Sequence, residues 1–215
     1  MTTQTKPIEA YSLPTPNGQK VHVMLEELGV PYTYHRIDIG KGEQFTPEFL
    51  AISPNNKIPA IVDPEGPDGQ PISIFESGAI LKYLAIKFGR FYPVEPRAQV
   101  KVDEWLFWQV GGFGPMLGQN NHFSLYAPEK IPYAIKRYSD ETHRLFGVLN
   151  KQVAENEYLA GEYSIADIAT IGWAQSWERY GAGKDEFPHF HAWFERLMAR
   201  PAVAKGINVG KEASA

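Results

Sequence analysis

The sequence predicts an α/β domain followed by an all-α domain, and three observations carry that prediction. In the first ninety residues, apolar positions switch between a spacing of two and a spacing near 3.6. Beyond residue 96 the alternating spacing nearly vanishes and only the helical one remains. Between the two regimes, residues 89–96 carry Pro93 and Pro96 and read as a connection where few contacts would cross. The expected organisation is residues 1–89, a linker over 90–96, and a helical-bundle domain over 97–215.

The elements follow in order. Residues 8–13 read as a short strand, stopped by Pro14 and Pro16. Residues 18–28 place Val21, Met24, Leu25 and Leu28 on one helical face, and Gly29 closes it. Residues 32–39 alternate as a strand, Gly40 and Gly42 mark a loop, and residues 47–52 fit a short helix. Residues 58–62 and 71–75 are strands flanking Pro64-Glu-Gly-Pro-Asp-Gly69, a hairpin connection. Residues 77–88 form the last helix of this domain. The order β-α-β-α-β-β-α calls for a four-stranded sheet of mixed direction.

In the second region, residues 97–108, 134–153, 165–177 and 188–200 show helical periodicity, and Pro201 stops the last of them. Residues 206–215 read as a frayed tail. Ser164 and Asp167, three apart before an apolar run, form a capping box. Gly111, Gly112, Gly114 and the adjacent Pro115 suggest a kinked or broken helix. Trp105, Trp108, Trp173, Trp177 and Trp193 sit at helical spacings and read as core and interface packing.

Composition narrows the chemistry. The 215 residues are 43% hydrophobic and 21% charged, ordinary for a globular chain large enough to need no disulfide. The chain has no cysteine, which excludes disulfides, thiolate metal sites and a redox pair of its own. The six histidines fall into no metal-binding spacing, so no metal is expected. A net charge of −4 offers no general reason for binding nucleic acid or anionic membranes. No secretory signal or membrane-spanning run is apparent, so a cytoplasmic location is expected.

Two segments carry the functional signal. Pro54-Asn-Asn-Lys57-Ile58-Pro59-Ala-Ile61 runs into a strand through a proline, and Phe75-Glu76-Ser77-Gly-Ala-Ile80 ends a strand and opens a helix. Pro59 would hold a strand edge able to pair with an extended peptide. Glu76 and Ser77 would set a carboxylate, a hydroxyl and free helix N–H groups at that peptide's charged end. Together they resemble the glutathione transferase superfamily, within the thioredoxin-like folds.

The resemblance implies a cis Pro59 and an Ile58 backbone that pairs with the cysteinyl unit of glutathione. It implies that Ser77 and the helix N-terminus take the γ-glutamyl carboxylate, and that Glu76 takes the ammonium. Lys57 and Gln44 would reach the glycyl carboxylate. The Pro14-Thr15-Pro16-Asn17-Gly18 run, with residues 104–123 and 131–138, resembles the bacterial nu class, whose members act mainly as glutathione-dependent disulfide-bond reductases. Carried over, Thr15 and Asn17 are the sulfur-side residues, and Arg137 pairs with a glutathione carboxylate. Glutathione is then a co-substrate, and the protein a homodimer.

The implied chemistry is physically sound. Lowering a thiol pKa by about two units needs about 2.7 kcal/mol of preference for the charged form. One or two hydrogen bonds to a charged acceptor, at about 1.5–3 kcal/mol each, meet that need. Two alternatives stay open. One is conjugation of glutathione to electrophiles, or peroxide reduction, with an apolar second pocket. The other is a non-enzymatic glutathione-binding regulatory protein on the same scaffold.

Overall fold

The structure is a computed structural model that describes residues 4–211. It divides into two compact units, Met1–Tyr92 together with Ala199–Ala215, and Pro93–Met198.

The first unit begins β1 (Ile8–Ser12), α1 (Pro16–Leu28), β2 (Tyr32–Arg36), α2 (Pro47–Ile52), β3 (Ala60–Asp63), β4 (Ile72–Phe75) and α3 (Ser77–Phe88). The strands lie in the order β2-β1-β3-β4. β1 pairs with β2 in parallel, Ala10 opposite Tyr34; β1–β3 and β3–β4 are antiparallel. The α1 crossover returns β2 parallel to β1, and the short connection between β3 and β4 makes that pair antiparallel. β3 starts two residues later than its sequence suggests, because Pro59 has no N–H to enter the ladder. Along β1, Ile8, Ala10 and Ser12 are fully buried, while Glu9 and Tyr11 point to the less covered face.

The second unit contains α4 (Pro96–Trp108), α5 (Gly114–Asn121), α6 (Pro132–Glu155), α7 (Ile165–Ala174) and α8 (Pro188–Met198). The glycine-rich stretch does not break the helix. Gln109–Phe113 and His122–Tyr126 are π-helical, and Trp108, Gly114 and His122 all keep right-handed helical angles. The wider turns accommodate what the glycines and Pro115 would otherwise interrupt. Phe146 gathers Phe113 and Phe190 at ring distances of 5.4 and 5.1 Å. The capping box forms: Ser164 N donates to Asp167 Oδ2 at 3.1 Å, and Ala166 N donates to Ser164 Oγ at 3.3 Å. Asp167 Oδ1 also accepts from Leu159 N and Trp193 Nε1. Of the five tryptophans only Trp193 is fully buried; Trp105 and Trp108 line a surface cavity with Lys101, Glu104 and Gln152.

The expected domain boundary and tail are corrected at the C-terminus. Residues 201–208 are a helix, α9 (Pro201–Asn208), and it packs on α1 in the first unit, not in the helical domain of residues 97–215. Gly206 makes this possible, since a Cβ there would lie 2.5 Å from the Val23 Cα. Gln19 Nε2 donates to Ile207 O at 3.0 Å, and Lys205 pairs with Glu26 at 2.8 Å. Among the described residues, no helix is long and apolar enough to cross a membrane.

Candidate ligand-binding site at the cis-proline edge

Three local structures converge on one pocket of about 170 Å³, lined by Asn17, Asn55, Lys57, Ile58, Pro59, Phe75, Glu76 and Ser77. The first is the start of α1. Thr15 is its N-cap, with Oγ1 accepting from Gly18 N at 3.3 Å, and Pro16 follows in the first helical turn. Asn17 is therefore not the cap; it stands inside the first turn, among the pocket residues. Gly18 is required here, because a Cβ would fall 2.1 Å from Leu13 O. Only glycine lets the turn fold tightly enough to bring Asn17 to the pocket.

The second is the loop before β3. The Ile58–Pro59 peptide is cis. Ser53, fully buried, donates through Oγ to Lys57 O at 2.8 Å, and Asn56 N donates to Ser53 O at 2.9 Å. These bonds pin the loop from beneath while Lys57 stays exposed.

The third is the junction of β4 and α3. Glu76 has φ 68 and ψ 115, an uncommon conformation for a residue with a side chain. It makes no side-chain cap on α3, so its carboxylate is left toward the pocket, 3.5 Å from Asn55 Nδ2. Ser77, at the first position of α3, is buried, and its Oγ accepts from Lys20 Nζ at 3.2 Å.

Lys20 is the functional-site neighbour that sequence reasoning missed. It lies one turn along α1 from Asn17 and is 2% exposed. Burial pulls its pKa down to about 7, against the opposing pull of Glu76. The available signal was its helical register, one turn before the core residue Met24. Asn55 and Phe75 were also unassigned, although both stand in the two signal segments.

Six of the expected site residues thus meet: Asn17, Lys57, Ile58, Pro59, Glu76 and Ser77. Thr15 and Gln44 are outside the lining. Gln44 sits in a single 3-10 turn, Glu43–Phe45, with its Oε1 buried and unpartnered. Arg137 is in the second unit, where it lines a cavity of about 600 Å³ with Lys136, Tyr133 and Arg144. The pocket carries one carboxylate and one ammonium on its wall and a buried ammonium beneath, an arrangement suited to a short peptide with separated charges.

The glutathione S-transferase N-terminal domain matches residues 15–86, and the glutathione S-transferase C-terminal domain matches residues 119–201. The disulfide-bond oxidoreductase YfcG of Escherichia coli strain K12 is 53% identical over 202 residues, 93% of this chain and 94% of the relative. The chain belongs to the glutathione S-transferase family.

Solved members of the family extend the likeness to three dimensions. A glutathione transferase from Burkholderia graminis, with two glutathione molecules bound per subunit, is 43% identical. It superposes with a TM-score of 0.91, over 96% of this chain and 90% of that one. A glutathione transferase from Pseudomonas putida, with one glutathione disulfide bound per subunit, is 42% identical, with a TM-score of 0.90 over 97% of this chain and 94% of that one. The first unit of the present chain accordingly has the thioredoxin-like fold of this family, and the second its helical domain.

Proposed function

We propose that this glutathione S-transferase family member is a glutathione-dependent disulfide-bond reductase of nu type. The observation that carries the reading is a pocket with separated charges and a cis-proline edge, in a chain that has no thiol of its own. Glutathione fits that description as ligand and as the source of the attacking thiol. The names of YfcG, and of relatives holding two glutathiones or one glutathione disulfide, support the same chemistry.

In this mechanism, glutathione lies along the Ile58–Pro59 edge. Ser77 and the α3 N-terminus take its γ-glutamyl carboxylate, Glu76 its ammonium, and Lys57 with Gln44 its glycyl carboxylate. Asn17 and the Thr15 hydroxyl donate to the sulfur, next to the positive end of α1, and favour the thiolate. The thiolate attacks one sulfur of a disulfide, releasing the other as a thiolate that takes up a proton. A second glutathione thiolate then attacks the glutathione sulfur of the mixed disulfide. One disulfide and two glutathiones become two thiols and glutathione disulfide. The protein contributes orientation and thiolate stabilisation. Arg137 is assigned to a carboxylate of bound glutathione by resemblance.

A homodimer is part of this reading; exposed Phe107, Leu125, Tyr126 and Tyr133 on the second unit support it. A reducing compartment such as the cytoplasm suits a catalyst that consumes reduced glutathione. The test compares a small hydroxyalkyl disulfide with an aryl halide in steady-state assays. Turnover of the disulfide, reduced at least tenfold in Asn17→Ala, is expected. Fast turnover of the aryl halide with none of the disulfide would establish conjugation instead, and binding without any turnover would favour a regulatory protein.

A further inference from the structure

Lys20 stands apart from the residues just assigned, because it has no place on the pocket wall yet lies directly behind it. The α1 helix carries Asn17 and Lys20 one turn apart. The same face therefore serves the sulfur end of the pocket through Asn17 and the α3 end through Lys20, whose Nζ donates to Ser77 Oγ at 3.2 Å. A hydroxyl has one hydrogen to give and two lone pairs to offer. With a lone pair taken by the Lys20 ammonium, the Ser77 hydrogen is left for an acceptor elsewhere.

We propose that Lys20 is a positioning residue for glutathione: it orients the Ser77 hydroxyl as a donor and supplies the buried countercharge for the γ-glutamyl carboxylate. The inference rests on the ligand assignment above. A full charge in this setting is costly, and an added anion lowers that cost. Lys20 is nearly inaccessible, and burial has drawn its pKa into the neutral range, to about 7. Carboxylate binding beside Ser77 restores the charged form, so ligand and proton bind together.

The surroundings leave this coupling to Lys20. Glu76 of α3 already acts on it in the opposite sense to burial. His22, further along α1, is hydrogen-bonded to Ser12 of β1 at 2.6 Å, and burial holds its pKa down to about 4. Lys205 of α9 is engaged by Glu26. Lys57, on the loop before β3, lines the same pocket and remains exposed.

The test uses S-methylglutathione, whose sulfur cannot titrate, in calorimetric titrations of the full chain in buffers of differing ionisation enthalpy. If the bound carboxylate raises the Lys20 pKa by about one unit, binding at pH 7 takes up about 0.4 proton per ligand. The same shift weakens binding about fivefold between pH 6 and pH 8. Lys20→Met should abolish the uptake and flatten the profile at the weak-binding level, and Lys20→Arg should flatten it at the tight-binding level. Thermal melts establish that the variants are folded. Absence of proton uptake in wild type overturns the inference, whatever the variants do, and so does an unchanged profile in folded Lys20→Met. If wild type binds no glutathione derivative, the ligand assignment itself fails and takes this inference with it.

Discussion

Arg200 clasps Glu27 through two hydrogen bonds, Nε to Oε1 at 2.7 Å and Nη2 to Oε2 at 2.9 Å, across 173 residues of sequence. The Glu27 side chain is 5% exposed, so the pair is shielded on its acidic side. Together with Gly206 against Val23, it fastens α9 to the helix that begins at the pocket. Arg200→Ala removes both of these bonds from a buried carboxylate and should cost about 2–3 kcal/mol. Denaturant unfolding measures this directly. A loss under about 0.5 kcal/mol would mean that the pair behaves as an exposed one.

Gly18→Ala tests whether the tight turn before α1 sets the site. The added methyl cannot coexist with Leu13 O at 2.1 Å, so the first turn of α1 must move, and Asn17 with it. A displacement near 1 Å at a reacting centre costs about 100-fold in rate. Turnover should fall by roughly that factor, while circular dichroism stays close to wild type. Wild-type turnover in Gly18→Ala would show that Asn17 tolerates the shift or plays no part.

Asn17→Ala tests the proposed donation to the thiolate. If Asn17 makes that bond, its loss is worth about 1.5–3 kcal/mol, or about one to two pKa units for bound glutathione. The alkaline shift should appear in the ultraviolet absorbance of the thiolate and in the pH profile of kcat. An unmoved pKa with lowered turnover would restrict Asn17 to orienting the ligand.

The Asp63–Lys87 pair gives a prediction in pH. Burial pushes the Asp63 carboxyl up, but Lys87, Tyr83, the Glu65 amide and Gln4 together hold it below its usual range. Its stabilisation is therefore full above the unfolded value, about 3.9, and is lost as pH falls through the lower folded value. Lys87→Met should cost about 3 kcal/mol at pH 7, because the fully buried carboxylate loses its cation. The gap to wild type should close in acid, once Asp63 is protonated in both proteins. A gap independent of pH would point to lost packing alone.

Most of the first unit was legible because its signals are local. Alternation marked β1, Gly29 marked the end of α1, and Pro59 with Glu76-Ser77 marked the two sides of the pocket. What escaped depended on distant parts of the chain. Lys20 reads as a solvated helix residue until α1 is seen covered by α3, α9 and the sheet. Gly206 reads as a helix breaker until its missing side chain is seen to admit the backbone of α1. α1 starts two residues before the expected 18, because Pro16 favours the first helical position and Thr15 caps it. The glycines before Pro115 pointed to a break because propensity scales carry no entry for π turns.

The return of α9 to α1 also has a consequence for synthesis. A ribosome delivers the sheet and the pocket loops first, then more than a hundred residues of the other unit, and only then the helix that covers α1. The binding half of the molecule begins to form early but is completed last, so its nascent state waits with one helix face open.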